Sequence, residues 1–164
     1  MYKKKQYLYF AYGPNLFVSQ MHASCPYAEP MMKVNLYNAR VVFRDTADIE
    51  YVKSNSKRLY LNKVQGALYK ISRKDMTKID KYMDCPKKYK KVKCTVFDRD
   101  LNPYEAFMYK QNPNVQLKLP SEAYLNKMYL GYLDWKLSLN ALSSIWEYTA
   151  NLLNINLNEA NSDE

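Results

Sequence analysis

The side chains that could do chemistry in this sequence are few, and their spacing removes several classes of reaction at once. There is one histidine, His22, so any arrangement in which an imidazole activates a serine or cysteine would have to be built on it. Nothing near His22 in the sequence suggests an activated nucleophile. The three cysteines, Cys25, Cys85 and Cys94, are odd in number and show no Cys-x-x-Cys spacing. Neither a disulfide framework nor a zinc site is expected from that set, and no metal or other cofactor is implied. What remains is a small stock of carboxylates, among them Glu50, Asp80 and Asp84, and a large stock of cations and phenols. The formal charge is +9, and 17 tyrosines stand against 3 glycines. A positive balance of that size favours anionic partners, either small acids and nucleotides or nucleic acid. The densest basic run, Lys87-Lys88-Tyr89-Lys90-Lys91-Val92-Lys93, reads as the wet side of a strand rather than a nucleic-acid site. It is accompanied by none of the sequence signatures of RNA- or DNA-binding modules, so nucleic acid is not the expected partner.

These residues have to be positioned by a modest chain. At 164 residues, 48% of them hydrophobic, it suits one domain with one core, expected over residues 1–154. A polar, acidic and flexible tail is expected over 155–164. No stretch of about 18 apolar residues exists to span a bilayer, and the short apolar run Tyr7–Tyr12 behind the basic N-terminus reads as a strand rather than a leader. A cytoplasmic protein without membrane contact is the expectation, with the oligomeric state left open.

Along the chain, Tyr7–Tyr12 is apolar throughout, as in a strand buried on both faces, and ends at the turn signal Gly13-Pro14-Asn15. A helical turn is expected over Leu16–Met21, then strands over Met32–Tyr37, Ala39–Arg44 and Ala47–Val52. A polar loop follows at 53–57, with a hairpin arm at Arg58–Leu61. Val64–Ile71 reads as a strand with Gly66 marking a bulge or a close approach. Ser72-Arg73-Lys74-Asp75 fits a capping box and opens a helix that Pro86 stops. Tyr89–Phe97 and Tyr104–Tyr109 read as an antiparallel pair. Pro120-Ser121 opens a helix ended by Gly131, and a last helix spans Leu139–Leu152. Strands in the middle with helices between and after them make an α+β chain.

The segment Tyr9-Phe10-Ala11-Tyr12-Gly13-Pro14-Asn15-Leu16 resembles the Tyr-Gly-Ser-Asn-Leu signature of the γ-glutamylcyclotransferase-like (AIG2-like) family. Further elements follow in the family's order. These are Met21 with Cys25-Pro26, the strand Val64–Ile71, the stretch Ile79-Asp80-Lys81-Tyr82-Met83-Asp84 before Pro86 and Tyr89, and Pro120-Ser121 with Tyr124-Leu125 and Leu130-Gly131. The resemblance runs from about Tyr7 to Leu142. It implies a small, barrel-like mixed sheet with peripheral helices and a cavity at the signature loop. In the family, backbone N–H groups of that loop hold a substrate carboxylate, and a glutamate takes a proton from the substrate's α-amine so that 5-oxoproline is released. Such a loop binds an anion without spending side chains, and the base must sit near the amine with a suitable pKa.

Three positions depart from the family's pattern. Met83 falls where the family has its glutamate, and a thioether has no titratable proton. Losing a general base removes about 10² to 10⁴ in rate. Asp84, in place of the family's glycine, and Glu50 are the acids that could act as displaced bases. Pro14 replaces the signature serine, which removes one backbone N–H and a hydroxyl. The resemblance with these changes implies a catalytically degenerate scaffold that binds a small anionic molecule, with nucleotide-type ligands among the candidates. The residues expected to line the site are Tyr9, Phe10, Ala11, Tyr12, Gly13, Pro14, Asn15, Met83 and Tyr124. The competing expectations are an active cyclotransferase using Asp84 or Glu50, and a basic surface for nucleic acid or protein.

Overall fold

A computed structural model describes residues 4–53, 62–112 and 114–153. The elements in order are β1 (Gln6–Ala11), a 3-10 turn (Pro14–Leu16), α1 (Val18–Ser24), β2 (Glu29–Tyr37), β3 (Ala39–Arg44), β4 (Thr46–Tyr51), β5 (Lys63–Ser72), α2 (Arg73–Tyr82), β6 (Tyr89–Phe97), β7 (Pro103–Gln111), α3 (Glu122–Asp134) and α4 (Leu139–Leu152). The chain is α+β. Five strands close a barrel in the order β1-β5-β2-β6-β7, and β3-β4 form a separate two-stranded sheet. All barrel pairings are antiparallel except the seam, where β1 meets β7 in parallel at Tyr9 and Phe107.

Period-two alternation explains how the barrel fills. Phe10, Leu68, Val34, Val96 and Met108 are buried, while Lys33, Asn35, Lys63 and Gln65 between them are open to solvent in varying degree. Gly66 marks a close approach and not a bulge. It pairs in register with Val34, and a Cβ there would run into the Phe10 ring and the Ala11 carbonyl. Asp45, at φ 69°, makes the one-residue link between β3 and β4, a conformation that Asp tolerates better than most side chains. Buried bonds fasten the β3-β4 hairpin to the rest, two of them from backbone N–H groups. Gln111 N–H donates to Asp48 Oδ1 at 2.8 Å, and Phe43 N–H donates to Thr149 Oγ1 at 3.1 Å.

The helices follow their caps. Ser72 accepts from Asp75 N–H at 3.1 Å, and Asp75 Oδ2 accepts from Ser72 N–H at 3.1 Å, a complete capping box at the start of α2. That helix ends at Tyr82, four residues before Pro86, because Asp84 adopts a left-handed backbone at φ 48°. Gly131 does not end α3, which continues to Asp134. Its function is steric: a Cβ there would overlap the Leu16 side chain and the Leu16–Phe17 backbone, so glycine lets the helix lie against the signature turn. The expected helical turn over Leu16–Met21 divides into the 3-10 turn and α1, and β2 begins three residues earlier than expected, at Glu29, with an irregularity between Pro30 and Met32. The expected arm Arg58–Leu61 and the tail 155–164 lie outside the described residues. No described helix is long and apolar enough to cross a membrane.

Candidate functional site

The turn after β1 is held from beneath. Leu16 N–H donates to the Gly13 carbonyl and Phe17 N–H to the Pro14 carbonyl, both at 3.0 Å, which closes the 3-10 turn. Pro14 has no N–H, so Gly13 and Asn15 are the backbone donors the turn can offer at its apex. The Asn15 carbonyl accepts the Tyr69 hydroxyl at 3.0 Å, and its Nδ2 donates to the Tyr9 oxygen at 3.0 Å. The loop is therefore anchored through buried phenols of β1 and β5. Trp135 Nε1 donates to the Leu16 carbonyl at 2.8 Å, fixing the C-terminal end of α3 to the same turn.

Above this turn lies a cavity of about 280 Å³. One wall is the loop itself, Tyr12 to Asn15, with Tyr9 behind it. The residues after α2, Tyr82, Met83 and Asp84, form a second wall. Lys88 and Tyr89 at the start of β6, with Tyr109 of β7, form a third. Thr46 and Ala47 of β4 with Tyr124 of α3 close the far side. Six tyrosines thus surround one small space: Tyr9, Tyr12, Tyr82, Tyr89, Tyr109 and Tyr124.

Most of their hydroxyls are tied to the frame. Tyr12 donates to the Tyr109 carbonyl. Tyr89 donates to the Ala47 carbonyl at 2.9 Å and receives Gln111 Nε2 at 3.2 Å. Ala47 N–H donates to the Tyr124 oxygen at 2.7 Å. Tyr109 donates to Asp80 Oδ1, whose other oxygen accepts Lys91 Nζ at 2.8 Å. Asp80, on the helix leading to Met83, is thereby a structural acid engaged by two partners. Burial pushes the Tyr9, Tyr12, Tyr109 and Tyr124 phenols well above their ordinary range, and that of Tyr89 up to about 12. All five are neutral at physiological pH and act as dipoles, not as bases.

Of the residues expected at the site, the structure brings Tyr9, Tyr12, Gly13, Pro14, Asn15, Met83, Asp84 and Tyr124 to one cavity. Phe10 and Ala11 do not line it. Phe10 faces the barrel interior over Gly66, as alternation with Tyr9 requires, and Ala11 is buried opposite Ala67. Glu50 does not line it either; it stands on β4 with Arg40 Nε at 3.3 Å. Sequence reasoning missed Thr46, Ala47, Tyr82, Lys88, Tyr89 and Tyr109. The aromatic position Tyr89, one residue from Lys88 at the head of an alternating strand, was the available signal. Thr46 and Ala47 arrive by tertiary contact alone. His22 is placed apart from the cavity, with Nε2 at 3.1 Å from the Ala28 carbonyl. Among the described residues no group of His, Cys, Asp and Glu is arranged to hold a metal ion.

Residues 63–140 match the AIG2-like family. Comparison with curated proteins by sequence finds no match. Among solved structures, a γ-glutamyl cyclotransferase superimposes with a TM-score of 0.75 at 19% identity, covering 86% of each chain. An uncharacterised protein from Homo sapiens gives 0.75 at 18% identity and 87% of each chain. A glutathione-specific γ-glutamyl cyclotransferase from yeast gives 0.57 at 9% identity, covering 93% of this chain and 98% of its own. Residues 63–140 thus match the model of the AIG2-like family, and the barrel that carries them has the γ-glutamylcyclotransferase-like fold.

Proposed function

We propose that this protein is a catalytically degenerate γ-glutamylcyclotransferase-like protein that binds, and by binding sequesters, a small anionic molecule in the cavity over Gly13–Asn15. The observation that carries this reading is that Met83, at the position where the family's base is expected, lines the same cavity as the signature loop. A thioether there offers surface and polarizability to a ligand but no proton acceptor of useful strength. The cavity volume, about 280 Å³, lies at the low end of ligand pockets, which run from about 300 Å³ upward. The occupant is therefore metabolite-sized, within reach of a γ-glutamyl amino acid or a mononucleotide and too large for neither a ring nor an acid group. Recognition rests mainly on neutral donors. Tyr9 accepts from Asn15 and so keeps its own proton for the ligand, and the Gly13 and Asn15 N–H groups face an anion from the turn. Lys88 adds a positive charge at the cavity wall. A cytoplasmic setting, where such metabolites are found, belongs to the same proposal.

Isothermal titration against a panel of γ-glutamyl amino acids and a panel of nucleotides tests it. A ligand of micromolar affinity or tighter is expected, weakened at least about tenfold by Tyr9→Phe, which removes a charge-assisted hydrogen bond, and less by Asn15→Ala, which keeps the backbone N–H and removes only the amide that orients Tyr9. Silence across both panels overturns the reading.

One observation favours a second reading. Asp84 also lines the cavity, and among the described residues it is the carboxylate that does so. In that reading Asp84 takes the α-amine proton and the protein turns over γ-glutamyl substrates. An assay for 5-oxoproline release decides between them: turnover abolished by Asp84→Asn establishes the active enzyme, and no turnover in the unmodified protein removes it.

A further inference from the structure

We propose that the outer face of strands β5, β2 and β6, away from the cavity, is a binding surface for single-stranded nucleic acid. The register of the barrel builds this face. Asn35 of β2 is paired with Gln65 of β5 on one side and with Phe97 of β6 on the other, and Tyr37 is paired with Lys63. Alternation puts Lys33, Asn35 and Tyr37 on the same side of β2 as Lys63 and Gln65 on β5. Arg99 stands in the turn just past Phe97. The rings of Tyr37 and Phe97 lie 5.6 Å apart, tilted by 52°. A hollow of about 430 Å³ over this face is lined by Lys33, Asn35, Lys63, Gln65 and Arg99. A second hollow, of about 510 Å³, shares Lys63 and Gln65 with it and continues past Ser138 to Arg40 and Tyr148 of α4. The Arg40 guanidinium lies over the Tyr148 ring at 4.4 Å.

The charge on this face is not balanced by neighbours. Lys33, Lys63 and Arg99 form no ion pair among the described residues. Three carboxylates are near. Asp98 lines the same hollow but is engaged in its own turn, accepting from the Asp100 and Asn102 N–H groups, Asn102 Nδ2 and the Tyr104 hydroxyl; Glu50 is occupied by Arg40; and Asp100 follows Arg99, exposed in the turn. Among the described residues, three cations without ion pairs therefore stand beside two engaged carboxylates and Asp100, on an open surface that has amides and half-buried rings between the charges. Between Lys33 and Tyr37 the strand covers about 14 Å, far more than one phosphate needs. A small anion would use one of these cations; a chain of phosphates carrying planar bases uses the cations and the rings together. Within the Lys87–Lys93 run, Lys93 shares the side of β6 that carries Phe97 and borders this face, whereas Lys90 alternates to the other side and Lys87 precedes the strand.

Fluorescence anisotropy with labelled dT10 tests the proposal. The full chain is expected to bind dT10 at about 50 mM salt more tightly than an abasic ten-residue phosphodiester and more tightly than poly-glutamate. Replacing Lys33, Lys63 and Arg99 together by Ala should weaken binding at least tenfold and flatten the salt dependence by about two units of log–log slope, as expected for loss of three phosphate contacts on a single strand. Phe97→Ala should weaken dT10 while leaving the abasic strand unchanged; a thermal melt of each variant confirms folding, and the cationic variants keep the test decisive if Phe97→Ala unfolds. Lys87→Ala with Lys90→Ala should leave binding unchanged. Equal affinity for dT10 and the abasic strand, stronger binding of poly-glutamate, or loss of binding in the Lys87/Lys90 variant in place of the Lys33/Lys63/Arg99 variant would each overturn it.

Discussion

The cavity and the outer face of β5-β2-β6 divide the chemistry of this chain between them. The cavity is made of phenols whose hydroxyls are fastened to backbone carbonyls, amides and Asp80, with Asp84 and Lys88 as its charged liners among the described residues. The outer face carries Lys33, Lys63 and Arg99, which form no ion pair among the described residues. The +9 of the whole chain is thus a property of its surface and hardly reaches the inherited pocket. Net charge argues for anionic partners, but it does not say where they bind. A buried phenol discriminates by hydrogen bonding at fixed geometry, whereas an exposed lysine attracts at a distance and loses its pull in salt.

The largest expected effect comes from putting charge where the cavity has none. Met83→Glu, combined with Pro14→Ser to return a donor to the loop, places a carboxylate beside the signature turn. Release of 5-oxoproline from γ-glutamyl substrates should rise by about 10² to 10⁴ over the unmodified protein, the contribution of a positioned general base. If the double variant binds γ-glutamyl ligand and still shows no turnover, a carboxylate at position 83 is not sufficient for that chemistry.

A somewhat smaller effect comes from ionising the cavity wall instead. Tyr89 is raised to about 12 by burial, from 10.0 in the unfolded chain, so the folded state holds its proton more tightly. The stability this represents is fully present below pH 10 and is lost as pH rises from 10 toward 12, because the unfolded phenol ionises first. For this residue the loss is about 3 kcal/mol, and Tyr9, Tyr109 and Tyr124 shift in the same direction. Denaturant unfolding at pH 8 and pH 11.5, read beside phenolate absorbance, should show the midpoint falling and a late-titrating class of tyrosines. A single class ionising near pH 10 without loss of stability would mean that the phenols are not sealed in.

Much of this was legible in residues. The run Tyr7–Tyr12 with Gly13-Pro14-Asn15, the Ser72/Asp75 box and the ends of α4 are local signals, and each element forms where those signals stand. Some expectations fail for reasons that are also physical. Gly131 carries the composition of a helix stop, but here glycine answers to the Leu16–Phe17 backbone packed against it, and packing overrides propensity. Phe10 and Tyr9 were both expected at the cavity, although adjacent strand residues point to opposite faces; strict alternation would have removed Phe10. What the sequence does not carry is the closure of β7 onto β1 and the docking of the β3-β4 hairpin through Asp48 and Gln111, and it is these contacts that bring Tyr109, Thr46 and Ala47 to the site.

The finest distinction between the two regions is what a side chain contributes to the fold. Tyr124→Phe removes one oxygen, and that oxygen accepts the Ala47 N–H at 2.7 Å, on a residue that is itself buried. The N–H is left facing a cavity wall of rings, and an unpaired buried donor costs about 1 to 3 kcal/mol. Lys33→Ala, by contrast, removes an exposed ammonium with no ion-pair partner among the described residues and should change stability by no more than about 0.5 kcal/mol. Urea unfolding of the two variants side by side makes the comparison. A Tyr124→Phe protein as stable as the unmodified one would show that water readily replaces the phenol, and the cavity would then be a wet surface groove in place of a walled pocket. A Lys33→Ala loss comparable to that of Tyr124→Phe would mean that the lysine serves the barrel, and its charge would no longer argue for a partner.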